Sequence, residues 1–269
     1  MSELTFSQTL NAIELPHEHH TSPLGMGLVH PVFSAQWELF QKFSPIEAQN
    51  GSPVLKVEEL EHANRDPDFF NEIYQHLNAQ QVLRERLWFF TEELCEASFH
   101  FSQAFDAAHV HLTADHDGDR EMSIFEYALA KDHTSCKEAV IEMADAFHFL
   151  VELSLFVGIS PNLIQNRGTF WNGVLTPRHV SMSAIVNAFY RTVKAAGMTG
   201  NLLKAKPWKQ ATIKPVDITW IQMNTLSIWI GFEDLCKFLG INRANLYRLY
   251  FYKHQINQAR IAAGAKGGH

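Results

Sequence analysis

The stretch from Phe69 to Phe105 contains neither glycine nor proline. Within it Leu83, Leu87, Phe90 and Leu94 recur at steps of four, three and four, which puts them on one face of an α-helix. A chain with that segment at its centre has to bury a long apolar stripe against other helices. The rest of the sequence reads the same way. A second helix is predicted from Ser135, where Ser135 and Glu138 have capping-box spacing, to Gly158, a residue suited to the left-handed position past a helix end. Ser160-Pro161 opens a short helix, and another is expected from about 181 to 196. A helix from Asp217 ends at Gly240, and a last one capped by Asn242 runs to about 263. Stretches 106–120, 166–178 and 197–215 read as loops, and 1–66 as short helices joined by loops. Alternating strand patterns and hairpin dipeptides are nearly absent, so the expected fold is all-α, a helical bundle with insertions.

Composition narrows the function classes. With 22 basic and 29 acidic residues the formal net charge is −7, so bulk charge draws the chain neither to nucleic acid nor to an anionic membrane. Phe is frequent, at 20 against 14 Gly and 10 Pro, which predicts a core rich in aromatic rings. Cys95, Cys136 and Cys236 are an odd count without a CxxC pair, which excludes a disulfide framework and a four-cysteine zinc site. The expected setting is the reducing cytoplasm. Residues 1–15 lack the basic and apolar regions of a signal peptide, and the apolar stretch Phe147–Ile159 is too short to span a bilayer and carries Glu152.

Two acidic pairs carry the first chemical signal. Glu93 and Glu96 leave one side of a helical turn, and so do Glu142 and Asp145 on a helix crowded with Phe147, Phe149, Leu150, Val151 and Leu153. Like charges this close repel, and carboxylates beside a core need compensation. Four of them facing one another suit a hard divalent cation such as Mg²⁺. Solvated faces of two amphipathic helices are the competing reading. The last helix supplies a second signal. Tyr250, Lys253, Asn257 and Arg260 step by three, four and three along one face, a row able to hold phosphates and a polar base or sugar edge, followed by a Gly- and Lys-bearing tail with Lys266. A solvated helix face competes here too.

These residues together resemble the all-α nucleotide pyrophosphatases, whose pattern is ExxE, often EExxE, on one helix and ExxD on the next. Here that is Glu92-Glu93-x-x-Glu96 and Glu142-x-x-Asp145, followed by Phe147, His148 and Phe149. The late helix is similar to that of the dimeric dUTPase and phage dCTPase/dUTPase branch at Tyr250, Lys253, His254, Asn257, Arg260, Gly264 and Lys266, with Ile261 and Ala265 where that branch has Gln and Tyr. The resemblance implies Mg²⁺-dependent hydrolysis of dUTP or dCTP to the monophosphate and pyrophosphate, with Mn²⁺ able to substitute. Glu93, Glu96, Glu142 and Asp145 would be the metal ligands, and Glu93 also the general base. Tyr250, Lys253, Asn257, Arg260 and Lys266 would bind substrate. It also implies a homodimer and an N-terminal Gln/Asn-bearing helix that reads the pyrimidine, for which Gln75 and Asn78 are the first candidates and Gln8 and Asn11 the second. On this reading residues 1–66 are N-terminal helices and loops, and 67–269 form the pyrophosphatase domain with insertions at about 106–133 and 160–240. Lys204-Ala-Lys206-Pro-Trp208-Lys209 resembles a basic Trp-containing segment of the relatives. The alternatives are a MazG-like enzyme for other or modified dNTPs and a non-enzymatic helical interaction protein. The latter would bind Ca²⁺ at 115–126, which has EF-hand ligand spacing but Arg120 where the turn needs Gly. The cluster His17–His20 suggests no more than adventitious metal binding, His109, His111, Asp115 and His116 resemble a hydrolase zinc motif with a spacing two residues too long, and Trp220, Trp229, Phe232 and Cys95 read as packing residues.

Overall fold

The computed structural model of the chain describes residues 5–13, 29–112, 134–166, 182–203 and 217–263. Among these residues there is no strand. In chain order the helices are α1 (Phe6–Asn11), α2 (Val29–Gln49), α3 (Val57–Arg65), α4 (Phe69–Ile73), α5 (Leu77–Leu112), α6 (Thr134–Phe156), α7 (Pro161–Asn166), α8 (Met182–Leu202), α9 (Ile218–Leu239) and α10 (Arg243–Ala262). The expected all-α bundle is what forms. Its centre is the pair α5 and α6, with α8 and α9 packed on each other beside it and with α2 and α10 packed on α6. Leu83, Leu87, Phe90 and Leu94 are all buried, as their spacing predicts.

Several boundaries differ from expectation, each for a physical reason. The run from Phe69 is not one helix. It breaks at Tyr74–His76, where the buried Tyr74 hydroxyl donates to the Phe156 carbonyl at 2.8 Å and Gln80 Nε2 donates to the Tyr74 carbonyl at 2.7 Å. Further on, α5 runs through Leu112 into the stretch read as a loop, because 106–112 holds no helix breaker. Ser135 is inside α6 rather than its cap, and its hydroxyl donates to Gln103 Oε1 at 3.4 Å. The helix α8 passes Gly197 and Gly200 to Leu202, with Ala196 and Leu203 buried along the way. Residues 29–49 form one long helix, with Pro31 in the first turn, where its missing N–H has no helical partner, and with Pro45 taken inside the helix.

The end signals hold where they are strongest. Gly158 has φ +74 and Gly240 φ +76, and in both turns the next amide reaches back to close the helix, Ile159 N to Ser154 O at 2.9 Å and Ile241 N to Cys236 O at 2.8 Å. Asn242 caps α10 by accepting from Asn245 N at 2.9 Å. The core is continuous from Phe6 and Leu10 of α1 through α5 and α6 to Tyr250 of α10. Its rings interlock. Phe147 stacks on Phe232 at 5.6 Å and meets Trp229 and Tyr250 edge-on.

Candidate functional site

Antiparallel packing of α5 on α6 brings the two acidic pairs together. Glu93, Glu142 and Asp145, all half-buried, each offer an oxygen within 4.8 Å of the others. Glu96, one turn on from Glu93, is exposed at the rim, and its charge acts on Glu93 and Glu142. From α10, Lys253 reaches in to place Nζ 2.6 Å from Asp145 Oδ2. Thus residues far apart in sequence meet where three helices cross.

The electrostatics follow from burial and crowding. Burial pushes the Glu93 carboxyl well above the ordinary carboxylate range, and a hydrogen bond to Glu142 and the charges of Asp145, Glu142 and Glu96 push it further. Burial raises Glu142 as well, while the bond from Glu93 and the charge of Lys253 oppose the rise. Glu93 therefore holds a proton and donates it to Glu142, and Lys253 offsets Asp145. An all-oxygen set of this kind fits a hard divalent cation. Oxygens around octahedral Mg²⁺ stand about 3 to 4 Å apart, given bonds near 2.0–2.1 Å, so a small closing of these side chains suffices.

Below the cluster lies a buried polar network. Gln36 Oε1 of α2 is 2.9 Å from His148 Nδ1 and accepts from the Tyr250 hydroxyl at 3.0 Å. His148 Nε2 is 3.2 Å from the Tyr250 carbonyl, and the Tyr250 hydroxyl donates to the Val32 carbonyl at 3.3 Å. Burial holds the His148 imidazole down at about 3, so it is neutral and has one N–H. A neutral ring donates from one nitrogen only, either Nδ1 to Gln36 Oε1 or Nε2 to the Tyr250 carbonyl. His148 also stacks on Tyr250 at 4.0 Å between ring centroids.

The remaining expected residues divide by place. Tyr250 is in the core with no exposed surface, at the inner end of the stripe, and Asn257 and Arg260 carry the stripe outward to solvent. Gln75 is exposed before α5, and Asn78 Nδ2 donates to the Val54 carbonyl at 2.7 Å. Asn78 is about 22 Å from Glu93 along the α5 axis, at 1.5 Å per residue, and Gln75 precedes that helix, so the fold does not bring them to the cluster. By contrast α1, which bears Gln8 and Asn11, packs on α10. Phe6 meets Tyr252, the neighbour of Lys253, edge-on at 6.3 Å, and Lys137 of α6 sits 5.5 Å over the Phe6 ring. Lys266, the 115–126 loop, His17–His20 and 204–209 lie outside the described residues. Gln36 and the buried Arg86 were not singled out by spacing. The signal for Arg86 is its place seven residues before Glu93, two turns along the same face.

A family described as dUTPase matches residues 120–264, more than half of the chain, a span that includes Glu142, Asp145 and the α10 stripe. The chain belongs to the dUTPase family. No curated protein and no solved structure matches it. Membership of this all-α family, whose members are typically metal-dependent, makes the protein a nucleotide pyrophosphatase, a hydrolase. The matched span begins after Glu93 and Glu96, so α5 joins the site through the fold rather than through the family match. No described helix is long and apolar enough to cross a membrane.

Proposed function

We propose that this dUTPase-family protein hydrolyses a pyrimidine deoxynucleoside triphosphate, dUTP or dCTP, to the monophosphate and pyrophosphate. The observation that carries the reading is the convergence of Glu93, Glu142 and Asp145 with Lys253 at one crossing of three helices. These carboxylates, with Glu96 at the rim, would hold Mg²⁺ or Mn²⁺. Bound there, the cation supplies counter-charge to the triphosphate and acidifies its water. Glu93, relieved of its proton, orients the attacking water and accepts its hydrogen at a carboxylate oxygen. Lys253 shifts from Asp145 alone to a shared contact with phosphate oxygens. Asn257 and the exposed Arg260 continue that track outward, and Lys266 follows them in sequence. The placement of α1 favours Gln8 and Asn11 over Gln75 and Asn78 as pyrimidine readers.

The protein is proposed to act as a homodimer. Support comes from large apolar side chains left exposed on α9, where Trp220, Met223 and Ile230 fall at helical spacing. The first test is release of pyrophosphate across a panel of dNTPs with Mg²⁺, and with EDTA as control. Selective turnover of dUTP or dCTP to a monophosphate, lost in EDTA, is the expected result. No turnover of any nucleotide, with Ca²⁺ raising the melting temperature instead, would replace this reading with the Ca²⁺-binding one.

A further inference from the structure

Two turns along the α5–α6 seam from the acidic cluster lies a second charged group that the chemistry above does not use. Arg86 is seven residues before Glu93, and Glu152 seven after Asp145, so in antiparallel helices the two charged layers are about 10 Å apart on one seam. Phe89 and Phe149, with ring centroids 5.4 Å apart, fill the layer between them. Arg86 donates from one terminal nitrogen to both oxygens of Glu47 on α2, at 2.6 and 2.7 Å. Its Nε stands 3.2 Å from Glu152 Oε1, and its guanidinium lies 5.6 Å from the Phe89 ring centre. Arg86 and Glu152 are both buried.

A buried ion pair contributes little net stability, because the loss of hydration offsets the attraction. Its geometry is nevertheless demanding. One terminal nitrogen of the planar guanidinium is hydrogen-bonded to Glu47 of α2 while Nε stands in ion-pair contact with Glu152 of α6, so one side chain meets carboxylates from two helices at once. The Leu and Phe contacts of the seam are non-directional, whereas a slip of one turn, 5.4 Å, would part the two buried charges of Arg86 and Glu152. We propose that Arg86, held by Glu47 and Glu152, is a positioning residue for the acidic site. It fixes the register of α5 on α6 and thereby the separation of Glu93 from Glu142 and Asp145. The inference rests on the reading of that cluster as a metal site.

The test uses Mn²⁺ binding to the full chain without nucleotide, measured by titration calorimetry, together with thermal unfolding in EDTA. The variant R86M/E47Q/E152M removes all three charges at similar volume, and R86K keeps the charge but not the fork. The expected result is cooperative unfolding of the triple variant near the wild-type temperature, with Mn²⁺ bound at least tenfold more weakly. R86K is expected to fold and to bind Mn²⁺ several-fold more weakly. Binding within twofold of wild type in whichever of the two variants folds would overturn the inference alone, leaving Arg86 a stabilising group. Absence of Mn²⁺ binding by the wild-type protein would overturn the metal reading and this inference with it.

Discussion

Asp145 has two neighbours of opposite charge type, the Lys253 ammonium at 2.6 Å and the carboxyls of Glu93 and Glu142. Asp145→Asn keeps the shape and loses the charge, so turnover is expected to fall by at least a hundredfold while the circular dichroism spectrum is unchanged. Retained activity in that variant would remove Asp145 from the metal site. Glu93 makes a separate prediction. Its pKa is raised by burial, by its bond to Glu142 and by nearby carboxylates, so the metal-free protein carries a proton there at neutral pH. A cation must displace that proton, and Mn²⁺ affinity is expected to rise with pH, with proton release on binding. Calorimetry in buffers of different ionisation enthalpy measures the release directly. At this scale the sequence was legible for the carboxylates, because i and i+3 on a helix share a face whatever the fold. It was not legible for Gln36, since nothing local in α2 says that its amide will meet His148 and Tyr250.

Helix ends were the most legible elements. Gly158 combines φ +74 with a close approach, where an added Cβ would lie 2.3 Å from Phe70 Cε2. Gly158→Ala therefore adds left-handed strain to a clash with a buried ring, and a loss of about 2–4 kcal/mol is expected in denaturant unfolding. Asn242→Ala removes one cap bond and is expected to cost about 1 kcal/mol in the same measurement. Helix lengths were less legible. The break at Tyr74–His76 and the extension of α8 past Gly197 and Gly200 are decided by contacts with other helices, which outweigh local preference.

For the molecule as a whole, two buried titratable groups bound the pH range of stability. Burial pushes Glu233 on α9 up to about 8, with Asp234 adding and Lys237 and Arg243 opposing. Since its folded pKa exceeds the unfolded one, its contribution is complete below about 4.5 and is lost as pH rises toward 8, a loss on the order of 3–5 kcal/mol. Glu233→Gln is expected to flatten that alkaline limb in melting temperatures taken without metal. His148 acts in the other direction. Its depressed pKa makes the fold lose stability as pH falls below the ordinary value of 6.5 toward about 3. The proposed homodimer is tested at this scale by sedimentation of Trp220→Glu, in which a monomer is expected.

The sequence by itself determined the all-α class, the long helix face at Leu83–Leu94, the Gly158, Gly240 and Asn242 boundaries and the two acidic pairs. Each depends only on spacing along a helix or on the backbone freedom of one residue. The tertiary structure decided what those pieces meet. It turned Glu93, Glu142 and Asp145 toward one point and set Lys253 on Asp145. It packed α1 on α10 while leaving Asn78 far along α5 and Gln75 before it, and it buried Arg86 between Glu47 and Glu152. Spacing cannot specify such meetings, because helix periodicity says which face a residue occupies and only packing says which helix that face will find.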